Sequence, residues 1–249
     1  MRRTLLRLAL FLPLAATLAP AAPALAQGLT ADQRTEVLSL LRQALREDPS
    51  ILREALAGLE AADQRERADA QRAAISRQEE ALFRDAADPV KGNPRGDVTI
   101  VEFFDTRCGY CKQLHPTMEA LLRRDANVRV VMKDLPILGP NSVLASRALL
   151  AAHRQGRYGP YYDALMALRV EPTEAVLRQQ AERVGLDWTR LRREMDDPAI
   201  QRRIEVNLRL AQSLGIEGTP ALVVGGTLVP GAVDLPALER LVAEARAAR

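Results

Sequence analysis

The sequence predicts an α/β fold whose small sheet is interrupted by an all-helical insertion and preceded by a helical extension. Three observations point there. Residues 97–105 (DVTIVEFFD) and 128–136 (VRVVMKDLP) are apolar, β-branched runs of strand length, and they flank a segment, 108–124, that reads as a helix. Between the second run and Pro220 one helix start follows another, over a length too great for a loop. A last short run, 221–224, meets Gly225-Gly226 and then a second run, the pattern of a hairpin.

The chain opens with MRRTLLRLALFLPLAATLAPAAPALA. A basic start with Arg2, Arg3 and Arg7, an apolar run over 8–18 and the small-x-small ending Ala24-Leu25-Ala26 describe a secretory signal, residues 1–26, cleaved before Gln27. The apolar run is shorter than the roughly 20 residues that span a bilayer. The mature protein is therefore expected in a bacterial periplasm, where disulfides form and persist. Setting aside the three signal arginines from 35 Lys and Arg leaves 32 basic residues against 32 Asp and Glu. That balance offers no basic face to a phosphate backbone, so nucleic acid is not expected as a partner.

Residues 27–87 read as the helical extension. Leu38, Leu45, Leu52 and Leu59 recur every seven residues, and Pro49 opens a second helix after Asp48. This single apolar seam has to bury against the protein's own sheet domain or against copies of itself in a homo-oligomer. Residues 60–84 look helical but carry few large apolar side chains, so they are expected to form a solvated stalk.

Residues 88–249 read as the sheet domain, and both cysteines of the chain lie in it, in RCGYCKQLHP. Structural zinc needs four ligands, and the chain offers Cys108, Cys111, His115 and His153 with no second CxxC, so no metal site is expected. Copper(I), which favours soft thiolates, stays open as an alternative role for the pair. A purely structural disulfide across so short a loop would constrain the unfolded chain little.

The flanks favour redox chemistry. The CxxC falls where the strand 97–105 turns into the helix 108–124, so Cys108 sits at a helix N-terminus, whose free N–H groups and dipole favour a thiolate. Cys108 is the expected nucleophile. Cys111, one turn further in, is expected to stay protonated and to resolve the mixed disulfide. Gly109 and Tyr110 between them are candidate client contacts, whereas His115, two turns along, is expected to be solvated or packed rather than catalytic.

An acid, Glu102, interrupts the apolar strand, and burying it requires protonation or a partner. Lys133, on the neighbouring strand, is the candidate partner, and the alternative is a Glu102 that faces solvent at a strand edge. Buried, the acid would pass a proton to or from Cys111. The insertion, about 139–214, has Asn141 capping its first helix, Gly159-Pro160 and Pro172 starting others, and Asp197-Pro198 opening one that reaches Leu214. Pro220 is placed to begin a strand rather than interrupt one, and Asp234-Leu235-Pro236 opens the last helix.

CGYCKQLHP, with Lys112 after the second cysteine and Pro116 five residues beyond it, resembles the active-site helix of thioredoxin-fold proteins. VEFFDTRC resembles more narrowly the DsbA-like branch, and ILGPNSVLASRALLAA resembles its Com1-like group or the suppressor-of-copper-sensitivity C group. The resemblance covers about 88–249. It implies a thioredoxin fold with an inserted helical domain, a cis Pro220 lying against the CxxC, Thr219 pairing its backbone with a client, and Glu102 beneath the active site with a lysine partner. It also implies a protein disulfide oxidoreductase with no organic cofactor, since the Cys108–Cys111 disulfide carries the electrons. Its partners would be client proteins with cysteines and a membrane redox protein that resets the pair. Oligomerisation through 27–87 would favour disulfide isomerase work; oxidation, isomerisation and reduction all stay open.

Overall fold

The computed structural model describes residues 29–248, so the secretory signal read on 1–26 lies outside the described residues. The chain divides into two compact units, Met1–Glu60 and Ala61–Arg249. In the first, helix α1 (Ala31–Glu47) starts at a capping box: the Thr30 hydroxyl accepts from the Gln33 N–H while the Gln33 side chain accepts from the Thr30 N–H. It ends at Asp48, and α2 (Ser50–Arg77) begins after Pro49, the break the sequence places there. The seam stands open within this unit: Leu38 is 48% exposed, Leu52 54% and Leu59 64%.

The second unit is built on a sheet of order β1-β3-β2-β4-β5. Strands β2 (Val98–Phe104) and β3 (Val128–Asp134) run parallel in the middle. Around them β1 (Val90–Gly92), β4 (Ala221–Val224) and β5 (Thr227–Pro230) pair antiparallel. β4 and β5 form the expected hairpin, whose turn puts Gly225 and Gly226 at φ of 54° and 87°, a region open mainly to glycine. The fold class expected from the sequence is the one found.

Alternation along the strands splits the interior in two. Ile100, Phe104, Val130, Met132 and Leu222 face one side, covered by α3 (Gly109–Arg124), α9 (Leu235–Ala247) and the insertion helices α4 (Pro140–Arg154), α5 (Tyr158–Met166), α6 (Glu174–Arg183) and α7 (Trp188–Met195). Val101, Phe103, Val131 and Val223 face the other side, against α8 (Pro198–Ser213). Ile75 and Leu82 join that second cluster at 3% and 0% exposure, with Ala74, Ala81 and Phe83 packed on it.

That placement corrects the stalk reading of 60–84. Its few apolar residues are gathered in 74–83, at the end of α2 and in a π-helical turn, Glu80–Arg84, and they close the sheet's second face. Full burial of one such leucine contributes about 1.5–3 kcal/mol. The insertion also differs in detail. α4 is capped at Gly139 with Pro140 in its first turn, not at Asn141, because proline needs no N–H partner there. α7 and the three-residue β1 were not anticipated. Asp197 and Asp234 cap α8 and α9 as read, accepting from the N–H groups of Ala199 and Ala237.

Candidate active site

β2 ends at Phe104, and the next residue, Asp105, sets the geometry of the turn. Its carboxylate, fully buried, accepts N–H bonds from Arg107 at 2.8 Å, Ile137 at 3.0 Å and Leu138 at 3.1 Å, tying the turn to the loop after β3. The Cys108 N–H in turn donates to the Asp105 carbonyl at 3.0 Å. Cys108 is thereby held as the N-cap of α3, 7% exposed, with Cys111 fully buried one turn in. Gly109 has open space around its Cα, and Tyr110 is 66% exposed beside the cysteine.

The Thr219–Pro220 peptide is cis. It brings the Thr219 carbonyl oxygen to 3.1 Å from the Cys108 sulfur, which donates to it as a thiol. A hydrogen bond from Cys111, others from Thr219 and from the backbone N–H groups of Cys111 and Tyr110, lower the Cys108 pKa to about 5 against the opposing effect of burial. Cys111 moves the other way: donating to Cys108, burial and the negative charges of Cys108 and Glu102 raise it far above an ordinary thiol. These shifts favour the thiolate at Cys108 and the protonated thiol at Cys111 at neutral pH.

Glu102 is buried beneath this pair, not solvated at an edge. Burial raises its pKa to about 7, the Lys91 charge and a hydrogen bond from Tyr162 pull it back, and Glu119 pushes it up. Its partner is not Lys133. Glu102 stands opposite Met132 in the sheet and Lys133 opposite Phe103, so the two point to opposite faces. Lys133 bonds the Asp88 carboxylate and, at 2.6 Å, the Ala81 carbonyl, and Arg203 bonds both Asp85 and Asp88. That cluster fastens 81–88 to the sheet face opposite Glu102.

The cation on the Glu102 side is Lys91, on β1. Its ammonium lies 4.7 Å from the centre of the Tyr162 ring, whose hydroxyl donates to Glu102 at 3.3 Å. It bonds Glu119 at 2.7 Å and Asp163 as well. His115 packs edge-on to Tyr162 with Nε2 3.6 Å from Asp163, the packed role expected of it, and burial lowers its pKa. His115, Glu119 and Asp163 bring metal-ligand atoms within 4.8 Å of one another, but the Lys91 ammonium already bonds both carboxylates there. A second buried acid, Asp134, accepts from Tyr158 at 3.4 Å, and burial raises its pKa to about 8.

Sequence reasoning missed Asp105, Lys91, Tyr162 and Asp134. Asp105 carried a signal, since an Asp two residues before an N–H it can accept marks an Asx turn. Lys91 and Tyr162 carried none, because their meeting depends on an edge strand and on how α5 packs.

Comparison with known proteins places this geometry. The DSBA-like thioredoxin domain matches residues 99–243, more than half of the chain. The chain belongs to that family. It is 44% identical to a thioredoxin-like oxidoreductase from Silicibacter pomeroyi DSS-3, with a TM-score of 0.67 over 68% of this chain and 98% of that one. It is 33% identical to ScsC from Proteus mirabilis in a transitional conformation, with a TM-score of 0.66 over 89% and 98%. Among curated sequences it is 34% identical over 160 residues to the Na(+)/H(+) antiporter NhaA 3 of Salinispora tropica, covering 64% of this chain and 24% of that protein. The chain thus spans about a quarter of the first curated relatives it matches. No helix among the described residues is long and apolar enough to cross a membrane.

Proposed function

We propose that the protein is an exported thiol-disulfide oxidoreductase acting on cysteine-containing client proteins in the periplasm. The observation that carries this reading is the Cys108 sulfur at the N-terminus of α3, 3.1 Å from the Thr219 carbonyl, among hydrogen bonds that lower its pKa to about 5. The thiolate attacks a client disulfide, forming one S–S bond as another breaks, and Cys111, after losing its proton, attacks the mixed disulfide to release the reduced client. Glu102, with an affinity for protons near neutrality, takes that proton, and in the reverse direction returns it.

A client strand pairs its backbone with Thr219 beside Pro220, while Gly109 and Tyr110 leave the approach to Cys108 open. Stabilising the thiolate stabilises the reduced pair and makes the disulfide oxidising. A membrane redox partner resets it. The open leucine seam of α1 and α2 supports self-association, and with it isomerase work. The test is recovery of a scrambled multi-disulfide substrate beside insulin reduction, with copper(I) titration of the reduced protein. Loss of both activities in Cys108→Ser supports the reading. Tight copper(I) capture by a chain that turns over neither substrate refutes it in favour of a metal carrier.

A further inference from the structure

Beside the CxxC turn lies a cavity of about 440 Å³, bounded by Gly109, Lys112 and His115 of α3 and by Met166, Ala167 and Arg169 at the end of α5. It is distinct from the groove at Thr219 and Pro220. It also opens within one turn of the reactive sulfur: Gly109 follows Cys108, and the Lys112 N–H donates to the Cys108 carbonyl at 3.1 Å.

Neither of its cations forms an ion pair with the described residues. The Lys112 ammonium, half-buried, donates to the Leu168 carbonyl at 2.6 Å and bonds no carboxylate among the described residues. Burial and the neighbouring charges of Arg169 and Arg107 hold its pKa below that of an ordinary lysine, against the weaker opposing pull of Glu171 and Asp105. Arg169 is exposed and makes no hydrogen bond or ion pair with the described residues. The surrounding cations differ: Arg107 bonds Glu171, and Lys91 bonds Glu119 and Asp163. Two like charges lining one cleft, neither in an ion pair with the described residues, are relieved by an incoming anion.

Resting on the thiol-exchange reading above, we propose that this cleft selects clients whose reacting cysteine is flanked by an acidic residue, the client carboxylate binding Lys112 and Arg169 while Cys108 attacks. A residue next to the attacked cysteine is only a few bonds from its sulfur, and the cleft begins at Gly109, the residue after Cys108. Glutathione, which also carries carboxylates close to sulfur, shares the chemistry and serves as a separate arm of the test.

The probes are short peptides whose single cysteine is disulfide-bonded to thiopyridine, identical except for Glu, Gln or Lys beside the cysteine. Mixing each with the reduced full chain forms the Cys108–peptide bond, breaks the peptide–thiopyridine bond and releases the electron pair on the thiopyridine sulfur. The Glu peptide is expected to react about fivefold faster than the Gln peptide and the Lys peptide slower, an advantage that fades at high salt. In Lys112→Met/Arg169→Met the Glu-to-Gln ratio should fall to within about twofold of unity. Any change in the thiolate itself cancels in that ratio. Arg169→Met alone, at an exposed position, should remove part of the preference and serves if the double variant fails to fold. A ratio near one in the unaltered chain, or one that survives both substitutions, overturns the proposal, as does dependence on the two cations for oxidised glutathione alone. Failure to react with any peptide overturns the thiol-exchange reading and this proposal with it.

Discussion

The sulfur of Cys108 and the carbonyl oxygen of Thr219, 111 positions apart in sequence, lie 3.1 Å apart in the fold. The contact joins the N-terminus of α3 to the start of β4 and makes one site of two motifs that are individually weak. A CxxC alone is compatible with metal or a staple, and a Thr-Pro alone with an ordinary turn. Their juxtaposition sets the Cys108 sulfur against the Thr219 backbone.

The pH dependence of stability follows from Cys108. Its folded pKa of about 5 lies below that of a free thiol, so the folded reduced form binds fewer protons than the unfolded chain between about pH 5 and 9. Stability of the reduced protein relative to the oxidised one should therefore rise with pH across that window, by about 5 kcal/mol at most, and be lost as pH falls through 5. Glu102, raised to about 7, acts oppositely, its stabilisation being lost as pH rises through 7, but it is present in both redox forms and cancels in the difference. Denaturant titrations of both forms from pH 4 to 9 check this; a constant difference would remove the thiolate from the site.

Lys91 should set the proton affinity of Glu102. Lys91→Met should raise the Glu102 midpoint by about one pH unit, and Glu119→Gln should lower it, both read by carboxyl NMR in the full chain. The signs discriminate. A substitution that merely loosened packing would admit water and lower the midpoint in both variants. Glu102→Gln should slow resolution of the mixed disulfide by about tenfold to a hundredfold and abolish the inflection near pH 7 in its rate.

The redox turn was legible because its signals are local: β-branched residues before Cys108, a helix after it, and glycines and a proline far downstream that only a hairpin accommodates. The partner of Glu102 was not, for a reason one residue wide. Lys133 and Met132 are adjacent in β3, and strand alternation sends only Met132 to the face of Glu102. Burial of Ile75 and Leu82 was hidden likewise, since two large apolar residues in a charged helical stretch show no face of their own until the sheet's second side stands open beside them.

Asp88 should prove structural. It bonds Lys133 and Arg203 at 1% side-chain exposure, so Asp88→Ala leaves a buried ammonium uncompensated and should cost about 3–5 kcal/mol of stability. Because Lys133 faces away from Glu102, the Cys108 midpoint should stay at about 5 in the same variant. A shifted thiol midpoint would mean that the two faces of the sheet communicate.

The leucine seam supplies the last prediction. Leu38, Leu52 and Leu59 lie on helices of the first unit, each about half exposed or more, and together they present a heptad stripe that single solvated helices rarely keep. Burying such a stripe between copies removes apolar area from water at roughly 25 cal/mol per Å², whereas a glutamate at each of these positions leaves desolvated carboxylates facing one another. Leu38→Glu, Leu52→Glu and Leu59→Glu, made together in the full chain, should therefore reduce the solution mass to that of a monomer. The thiol site lies in the other unit, so insulin reduction should persist while recovery of scrambled substrates falls. Light scattering beside both assays checks this: a monomeric unaltered chain, or an assembled variant, would disconnect the seam from self-association.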